Sequence, residues 1–165
     1  MELVGPEAAA AQAGRLLERF RRQALPVIHV RHESVRPGST FFLPGTDGAR
    51  LHDAVAPAAS ETVVLKHYPN SFRDTTLQTV LTANDVDSLV ICGMMTHMCI
   101  DATTRAAWDL GYACAVASDA CATRDLTHEG VVVPAAQVQA AFLAALAAVH
   151  ARVVPVQTLL AENPA

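Results

Sequence analysis

The sequence predicts an α/β fold, a three-layer Rossmann-like parallel sheet with helices on both faces. Short apolar runs of the kind that form strands buried on both faces alternate with segments of helical periodicity, as βαβ units require. The chain has 165 residues, of which 52% are apolar and 17% charged, so it can bury a substantial core and is not disordered. We therefore expect residues 1–165 to form a single domain.

The predicted elements alternate along the chain. Helical periodicity predicts helices over residues 6–23, 76–83, 99–110 and 135–150, and apolar runs predict strands over 27–32, 62–66, 88–92, 113–117 and 152–156. Residues 33–60 carry no regular pattern and contain two Pro-Gly pairs, which are typical of turns. A loop of this length inside a compact domain is usually functional, so we expect it to form one wall of a pocket.

The stretch around Cys99 is the strongest candidate for chemistry. The run 88–92 predicts a strand buried on both faces, Gly93 is predicted to end it, and the next helix closes on Gly111. Cys99 therefore falls at or near the first turn of this helix, where unpaired backbone N–H groups and the helix dipole favour an anion. Because the thiolate is the nucleophilic form of cysteine, this position predicts a nucleophilic Cys99; a buried, inert thiol is the alternative.

Two further polar side chains follow predicted strands. Lys66 closes the run 62–66, and Asp119 follows the run 113–117. Parallel sheets bind ligands at the carboxyl ends of their strands, so Lys66 and Asp119 could converge with Cys99. A lysine that ends a buried strand favours a functional role, although an ordinary surface lysine fits the same pattern.

Three side chains are candidates for lining a substrate pocket. Phe42 lies in the long loop, Phe72 follows the second strand, and His97 lies in the turn before Cys99. Core packing is the alternative for the two phenylalanines, and His97 could instead project from its turn. His29 and His32 lie on a strand and at its exit without the spacing of metal ligands, so we expect both to be structural.

The other cysteines do not indicate a metal centre or a disulfide framework. Cys92 and Cys114 lie inside apolar runs and are expected to be small buried hydrophobic residues. Cys121 completes the set, and no two cysteines have the spacing of about two to four residues that zinc ligands usually show. We predict no metal and no cofactor.

The charge and hydropathy of the sequence restrict the classes of partner that we expect the protein to bind. The net charge is −4 and the sequence contains no long basic run, which argues against nucleic-acid binding. No uninterrupted apolar segment reaches the ~18 residues that a membrane span needs, and no signal peptide is recognisable at the start. We therefore expect a cytoplasmic protein that acts on a small molecule and binds neither nucleic acid nor membrane.

Three motifs together resemble the isochorismatase-like cysteine hydrolases. They span residues 63–72, 91–107 and 118–123, and the block around Cys99 is the most specific of them. The resemblance implies that Cys99 is the nucleophile and Lys66 the cation beside it. It also implies that the backbone N–H groups of Met95 and Cys99 bind the developing oxyanion, that the Met94–Met95 peptide bond is cis, and that the protein is a homodimer or homotetramer.

This sequence departs from the family pattern at one place. Family members carry an aspartate at the end of a first, central strand, and no such segment precedes Pro6. We expect this first central strand to be missing from the chain and the natural protein to extend upstream. Its loss would leave backbone hydrogen-bonding groups of both neighbouring strands without partners. Asp101, Asp119 and Glu33 lie near strand ends, but none is a convincing substitute for that aspartate.

The resulting hypothesis is a cysteine hydrolase that cleaves an amide or another C–N bond of a small molecule through an acyl-enzyme. Two alternatives remain open within the same family. The chain could be a degenerate, non-catalytic member that binds a small molecule or acts by assembly, or it could cleave a vinyl ether, as isochorismatases do. Zinc binding by the four cysteines is a third, weaker alternative.

Overall fold

The structure, a computed structural model, describes residues 2–162. Its helices are α1 (Pro6–Arg22), α2 (Leu77–Ala83), α3 (Asp101–Asp109), α4 (Ala135–Val149) and α5 (Val156–Ala161). Its strands are β1 (Ile28–His32), β2 (Thr62–Lys66), β3 (Ser88–Met94), β4 (Ala113–Ala122), β5 (Leu126–His128), β6 (Val131–Val133) and β7 (Arg152–Val154). Single turns of 3₁₀-helix at Asp47–Ala49 and Asp53–Val55 interrupt the long loop, and a π-helical turn covers Thr96–Ile100.

The predicted α/β class with parallel strands and covering helices is confirmed, but the parallel strands form two separate sheets. β1 pairs with β2, and β3 pairs with β4, which in turn pairs with β7. β5 and β6 form a small antiparallel hairpin. Both β1 and β3 line one cavity of about 910 Å³. The absence of a first central strand stays a prediction.

The core lies on both faces of β4. Ala117 and Ala120 pack with α1 and α5, where Leu16 and Leu159 are buried. Side chains alternate along a strand, so their neighbour Val116 faces the other way and packs with α4 through Leu146. This arrangement places helices on both sides of the strand and explains why β4 is the most deeply buried strand of its sheet.

The predicted boundaries of β3 and β4 are wrong at their carboxyl ends. β3 continues through Gly93 to Met94, with a register irregularity between Ile91 and Gly93. Because glycine tolerates the positive φ of 132° found at Gly93, the strand can kink there without ending. β4 likewise continues to Ala122, since Gly93 and Met94 still pair with its last residues.

The carboxyl-terminal region contains elements that the sequence pattern did not indicate. The predicted strand 152–156 ends at Val154, and Pro155 instead precedes α5. Proline favours the start of a helix because its missing N–H would have no partner there. The β5–β6 hairpin, whose strands have only three residues each, was also missed.

An ionic cluster joins β1 and β2 to α1. The Glu61 carboxylate accepts hydrogen bonds from Arg21 at 2.7 and 2.8 Å and lies 2.8 Å from His29 Nε2. The Arg21 guanidinium is the main reason that the pKa of Glu61 lies well below its usual range. His29 is thereby confirmed as a structural residue. Among residues 2–162, no helix is long and apolar enough to cross a membrane.

Candidate active site

Cys99 lies in the π-helical turn Thr96–Ile100, which joins β3 to α3 and ends directly before Asp101, so the thiol is near the first turn of α3 as predicted. The Met95 carbonyl accepts hydrogen bonds from the N–H groups of Met98 and Ile100 at 3.1 and 3.2 Å, the residues on either side of Cys99. The Thr96 hydroxyl donates to Gln139 of α4 at 2.6 Å and fixes the turn to the body of the protein. The thiol is therefore presented from an anchored turn at the carboxyl edge of β3.

The peptide bond between Met94 and Met95 is cis, as the resemblance implied. It lies at the point where β3 passes into the π turn. Met95 is buried, whereas Met98 is exposed. The backbone at Met95 therefore lies inside the protein on the approach to Cys99.

Lys66 ends β2 and is almost fully buried, with 4% of its surface exposed. Its Nζ donates hydrogen bonds to the Pro69 carbonyl at 2.7 Å and to Ser71 Oγ at 3.2 Å. Burial lowers the pKa of Lys66 below its ordinary value, and the charge of the nearby Cys99 side chain opposes part of that shift. The structure thus pairs an amine in a dry environment with the candidate nucleophile.

A hydroxyl pair connects Lys66 to the helix that follows Cys99. Ser71 Oγ lies 2.9 Å from Thr103 Oγ1, and the Ser71 N–H donates to the same oxygen at 3.1 Å. Ser71 and Thr103 are both buried. Both residues lie inside motifs of the family resemblance, at 63–72 and 91–107, but sequence reasoning gave neither of them a role; a serine shortly after a strand-ending lysine was the available signal.

Cys99 and Lys66 line the 910 Å³ cavity together with Phe42 and Phe72. The long loop does contribute to its wall, because Phe42, Ala49, Arg50 and Leu51 all line it. Phe42 has a positive φ of 55°, which a bulky side chain rarely adopts, and its ring stacks on His32 with centroids 4.9 Å apart. Phe72 also packs into the core beside Leu77 and stacks on Tyr112, so both of its predicted roles are seen.

His32 was expected to be structural, but it lines the cavity beside Lys66. Parallel pairing places the two residues opposite each other at the ends of β1 and β2. Burial is the main cause of a lowered pKa at His32, and the positive charge of Lys66 lowers it further. Within the described residues, the buried His32 Nδ1 has no hydrogen-bond partner. The register of the two strands could have indicated this position.

His97 is not brought into the cavity wall formed by the described residues. Its Nδ1 lies 2.5 Å from Thr123 Oγ1, and its ring packs edge-on against Phe142 of α4. The turn before Cys99 therefore directs this histidine toward β4 and α4. Of the two alternatives for His97, projection from its turn fits the structure better than a position in the pocket wall.

The predicted convergence of Asp119 with Cys99 is wrong. Because β4 continues past it, Asp119 lies inside the strand and accepts a hydrogen bond from the Val156 N–H at 2.7 Å, at the start of α5. Asp101 pairs with Arg105 at 2.9 Å, and Glu33 pairs with Arg31 at 3.1 Å. These three acids are thus engaged elsewhere, consistent with the expectation that none replaces the family aspartate.

The remaining thiols differ from Cys99 in their surroundings. All four cysteines are free. Burial raises the pKa of Cys92 to about 11 and that of Cys121 to about 12, and it also raises the pKa of Cys114. Within residues 2–162, no group of three or more His, Cys, Asp or Glu side chains is arranged to hold a metal ion.

Comparison with known proteins assigns the chain to a family. The profile of the Isochorismatase domain matches residues 3–157. The uncharacterized isochorismatase family protein YddQ of Bacillus subtilis is 48% identical over 160 residues, which cover 97% of this chain and 89% of YddQ. A crystal structure from Oleispira antarctica, described as a candidate isochorismatase hydrolase, is 59% identical with a TM-score of 0.93 and covers 97% of this chain and 84% of that one.

More distant relatives carry names that state a reaction. Streptothricin hydrolase of Streptomyces noursei is 37% identical over 123 residues, 73% of this chain and 44% of that protein. Maleamate amidohydrolase of Pseudomonas putida is 33% identical over 121 residues, 66% of this chain and 57% of that protein. The structure of N-carbamoylsarcosine amidase from Thermoplasma acidophilum is 25% identical with a TM-score of 0.75 and covers 91% of this chain and 83% of that one. The family profile, the sequence relatives and the solved structures agree that this chain belongs to the isochorismatase family of hydrolases.

Proposed function

We propose that this protein is a cysteine hydrolase that cleaves an amide or another C–N bond of a small molecule, with Cys99 as the nucleophile. The supporting observation is that Lys66, which ends β2, and Cys99, which follows β3 of the other sheet, line the same cavity. A nucleophilic thiol beside a buried basic group is the arrangement that covalent acyl transfer requires.

The first step is proton transfer from the Cys99 thiol. Burial disfavours the charged form of Lys66, so its amine is a suitable acceptor, and the ammonium that forms is stabilised by the adjacent thiolate. Ser71 Oγ and the Pro69 carbonyl accept hydrogen bonds from Nζ and hold the amine in place throughout. The product of this step is a thiolate–ammonium pair at the carboxyl edge of β3.

The thiolate then attacks the substrate carbonyl carbon and forms a tetrahedral intermediate. The backbone N–H groups of Met95 and Cys99 would stabilise the negative oxygen of this intermediate. When the C–N bond breaks, Lys66 returns the proton to the leaving nitrogen. Water then hydrolyses the thioester, which releases a carboxylic acid and restores the Cys99 thiol.

The named relatives support the choice of bond. The names maleamate amidohydrolase and N-carbamoylsarcosine amidase both state hydrolysis of an amide-type bond. A thiolate attacks the carbon of a carbonyl that is attached to nitrogen. An adjacent ammonium then protonates that nitrogen as it leaves. The names of these relatives state different substrates, so we propose the bond class and not a particular substrate.

The test measures ammonia release from maleamate and from N-carbamoylsarcosine by purified variants. Cys99→Ala should lower kcat by about 10³-fold or more, because the covalent route is lost. Lys66→Met should lower it by about 10²-fold while the thiol remains. Cys114→Ser removes a thiol at the amino end of β4 and should leave turnover unchanged. Equal turnover by Cys99→Ala and the parent protein would exclude the proposed nucleophile.

A further inference from the structure

Lys66 is the only lysine in a sequence whose other cationic side chains are arginines. Its side chain is almost fully buried, although lysine is rarely buried unless its charge has a partner. Two hydrogen bonds fix its Nζ, one to the Pro69 carbonyl at 2.7 Å and one to Ser71 Oγ at 3.2 Å. The groups that hold these two acceptors in place therefore control how the amine is oriented.

The two acceptors are joined by a third group, the Thr103 hydroxyl. Thr103 lies in the first turn of α3 and is buried. Its Oγ1 lies 2.9 Å from Ser71 Oγ and 3.3 Å from the Pro69 carbonyl oxygen. These three groups and Lys66 Nζ form a closed circuit of hydrogen bonds, which we call the ring.

The direction of each hydrogen bond in the ring follows from the groups that cannot change role. The Ser71 backbone N–H, which can only donate, donates to Thr103 Oγ1 at 3.1 Å. The Pro69 carbonyl can only accept, so its contact with Thr103 takes the single hydroxyl hydrogen of that residue. Ser71 therefore donates its own hydroxyl hydrogen to Thr103, and its oxygen accepts from Lys66.

A ring with this direction occupies two of the three positions around Nζ, and Nζ donates at both. A neutral amine has two N–H groups and one lone pair, whereas an ammonium has three N–H groups. In the neutral form of Lys66 the ring engages both N–H groups, so the lone pair takes the third position. In the charged form the added proton takes that position, and no hydrogen bond of the ring has to break.

We propose that Thr103 is a positioning residue for Lys66, which acts through Ser71 and keeps the third position of Nζ available for proton exchange with Cys99. The proposal rests on the proposed function, in which the Cys99 thiol gives its proton to Lys66. In that step the S–H bond breaks, a third N–H bond forms at Nζ, and the electron pair stays on sulfur. The hydrogens of the ring do not move, so the amine has the same orientation before and after the transfer.

A purely structural role for Thr103 predicts a different response when its hydroxyl is removed. Burial is the main cause of the lowered pKa of Lys66. If Thr103 only packs the loop after β2 against α3, its loss lets water approach the amine, and the pKa of Lys66 rises toward its ordinary value. If Thr103 keeps Ser71 as an acceptor, its loss lets the Ser71 hydroxyl turn and donate to the neutral amine. The uncharged form is then favoured, and the pKa of Lys66 falls further.

The test titrates Lys66 by NMR in protein that is isotope-labelled only at lysine, which gives one side-chain signal because the sequence has one lysine. Thr103→Val replaces the hydroxyl with a methyl group, and the pKa of Lys66 should fall. Thr103→Ser keeps the hydroxyl and should leave the titration unchanged. Cys99 and His32, the titratable side chains that interact with Lys66 through charge, are the same in these variants.

Thr104→Val is the matched control. Thr104 is the next residue of α3 and is also buried, but its hydroxyl has no hydrogen-bond partner among the described residues. This substitution therefore makes the same chemical change without opening the ring. The titration of Lys66 should be the same in Thr104→Val as in the parent protein.

Two further measurements follow the proton transfer. Thr103→Val should slow the alkylation of Cys99 by iodoacetamide at pH 7 about threefold, because less of Lys66 is charged and able to stabilise the thiolate. It should lower kcat for ammonia release from maleamate about tenfold, the effect of one lost hydrogen bond. KM should change by no more than about twofold, since the ring orients the amine and does not contact substrate.

A rise in the pKa of Lys66 in Thr103→Val, or a titration equal to that of the parent protein, would overturn the proposal. Ser71→Ala opens the ring at its other hydroxyl and should also lower the pKa of Lys66, so the proposal can be tested even with a Thr103→Val protein that does not fold. Adding Thr103→Val to Ser71→Ala should lower it no further, and an additional fall would show that Thr103 does not act through Ser71.

Failure of the proposed function would be recognised separately. Turnover retained by Cys99→Ala would exclude the nucleophile, whereas the titration of Lys66 needs no substrate and still decides the role of Thr103. Loss of turnover in Cys99→Ala together with an unchanged Lys66 titration in Thr103→Val would overturn the positioning role alone.

Discussion

β3 and β4 are neighbouring parallel strands with opposite degrees of burial. The sequence of β3 is the more aliphatic of the two, yet none of its residues is buried, whereas Val116, Ala117 and Ala120 of β4 are fully buried. Among residues 2–162, β4 pairs on both edges, whereas β3 pairs on one. Hydrophobicity therefore shows that a strand belongs in an interior, but its burial depends on the neighbours that complete the sheet.

The largest expected effect comes from placing the same charge in each strand. Val116→Asp buries a carboxylate between β4 and α4 and should lower the free energy of unfolding by about 3–5 kcal/mol. Val90→Asp, at a partly exposed position, should cost no more than about 1 kcal/mol. Urea denaturation of the two variants measures the difference, and similar losses would contradict the comparison.

A smaller effect is expected from the cluster that ties β1 and β2 to α1. Glu61→Gln should lower the free energy of unfolding by about 1–3 kcal/mol near neutral pH, because the Glu61 carboxylate bonds both Arg21 and His29. The folded pKa of Glu61 is lowered, so its contribution is complete above the ordinary glutamate value of about 4.3 and is lost as the pH falls through the folded value.

The difference between Glu61→Gln and the parent should therefore shrink in acid. Chemical denaturation at several pH values checks this dependence. Glu162→Gln is the matched control, since Glu162 forms an exposed pair with Arg152 and should change stability less. A pH-independent difference for Glu61→Gln would show that its effect is not due to the charge.

Much of the fold and part of the site could be predicted from local sequence. The helices and the parallel strands follow from periodicity. Lys66 was placed because it ends an apolar run, and Cys99 because it lies near the start of the next helical segment. The extension of β4 could not be predicted, because Ser118 and Asp119 are turn-forming residues, and the strand continues beyond them only where Cys121 and Ala122 pair with β3. Tertiary pairing overrides local preference there.

The residues that surround Lys66 and Cys99 were not predicted, for a similar reason. Ser71 and Thr103 are distant in sequence, and their hydrogen bond depends on how β2 packs beside α3. His32 has no motif of its own and gains meaning only from its register with Lys66. The family resemblance identified the cis bond at Met94–Met95, which no propensity rule indicates. Oligomeric state stays a prediction.

The nucleophile is tested most directly by timed alkylation with iodoacetamide at pH 8, followed by mass spectrometry of each cysteine. With a pKa of about 11, Cys92 is about 0.1% thiolate at this pH, and Cys121, at about 12, is less ionised still. The account predicts that Cys99 is modified first and that Lys66→Met slows its modification about tenfold. Modification of Cys99 no faster than that of Cys92 would contradict the assignment of Cys99 as the nucleophile.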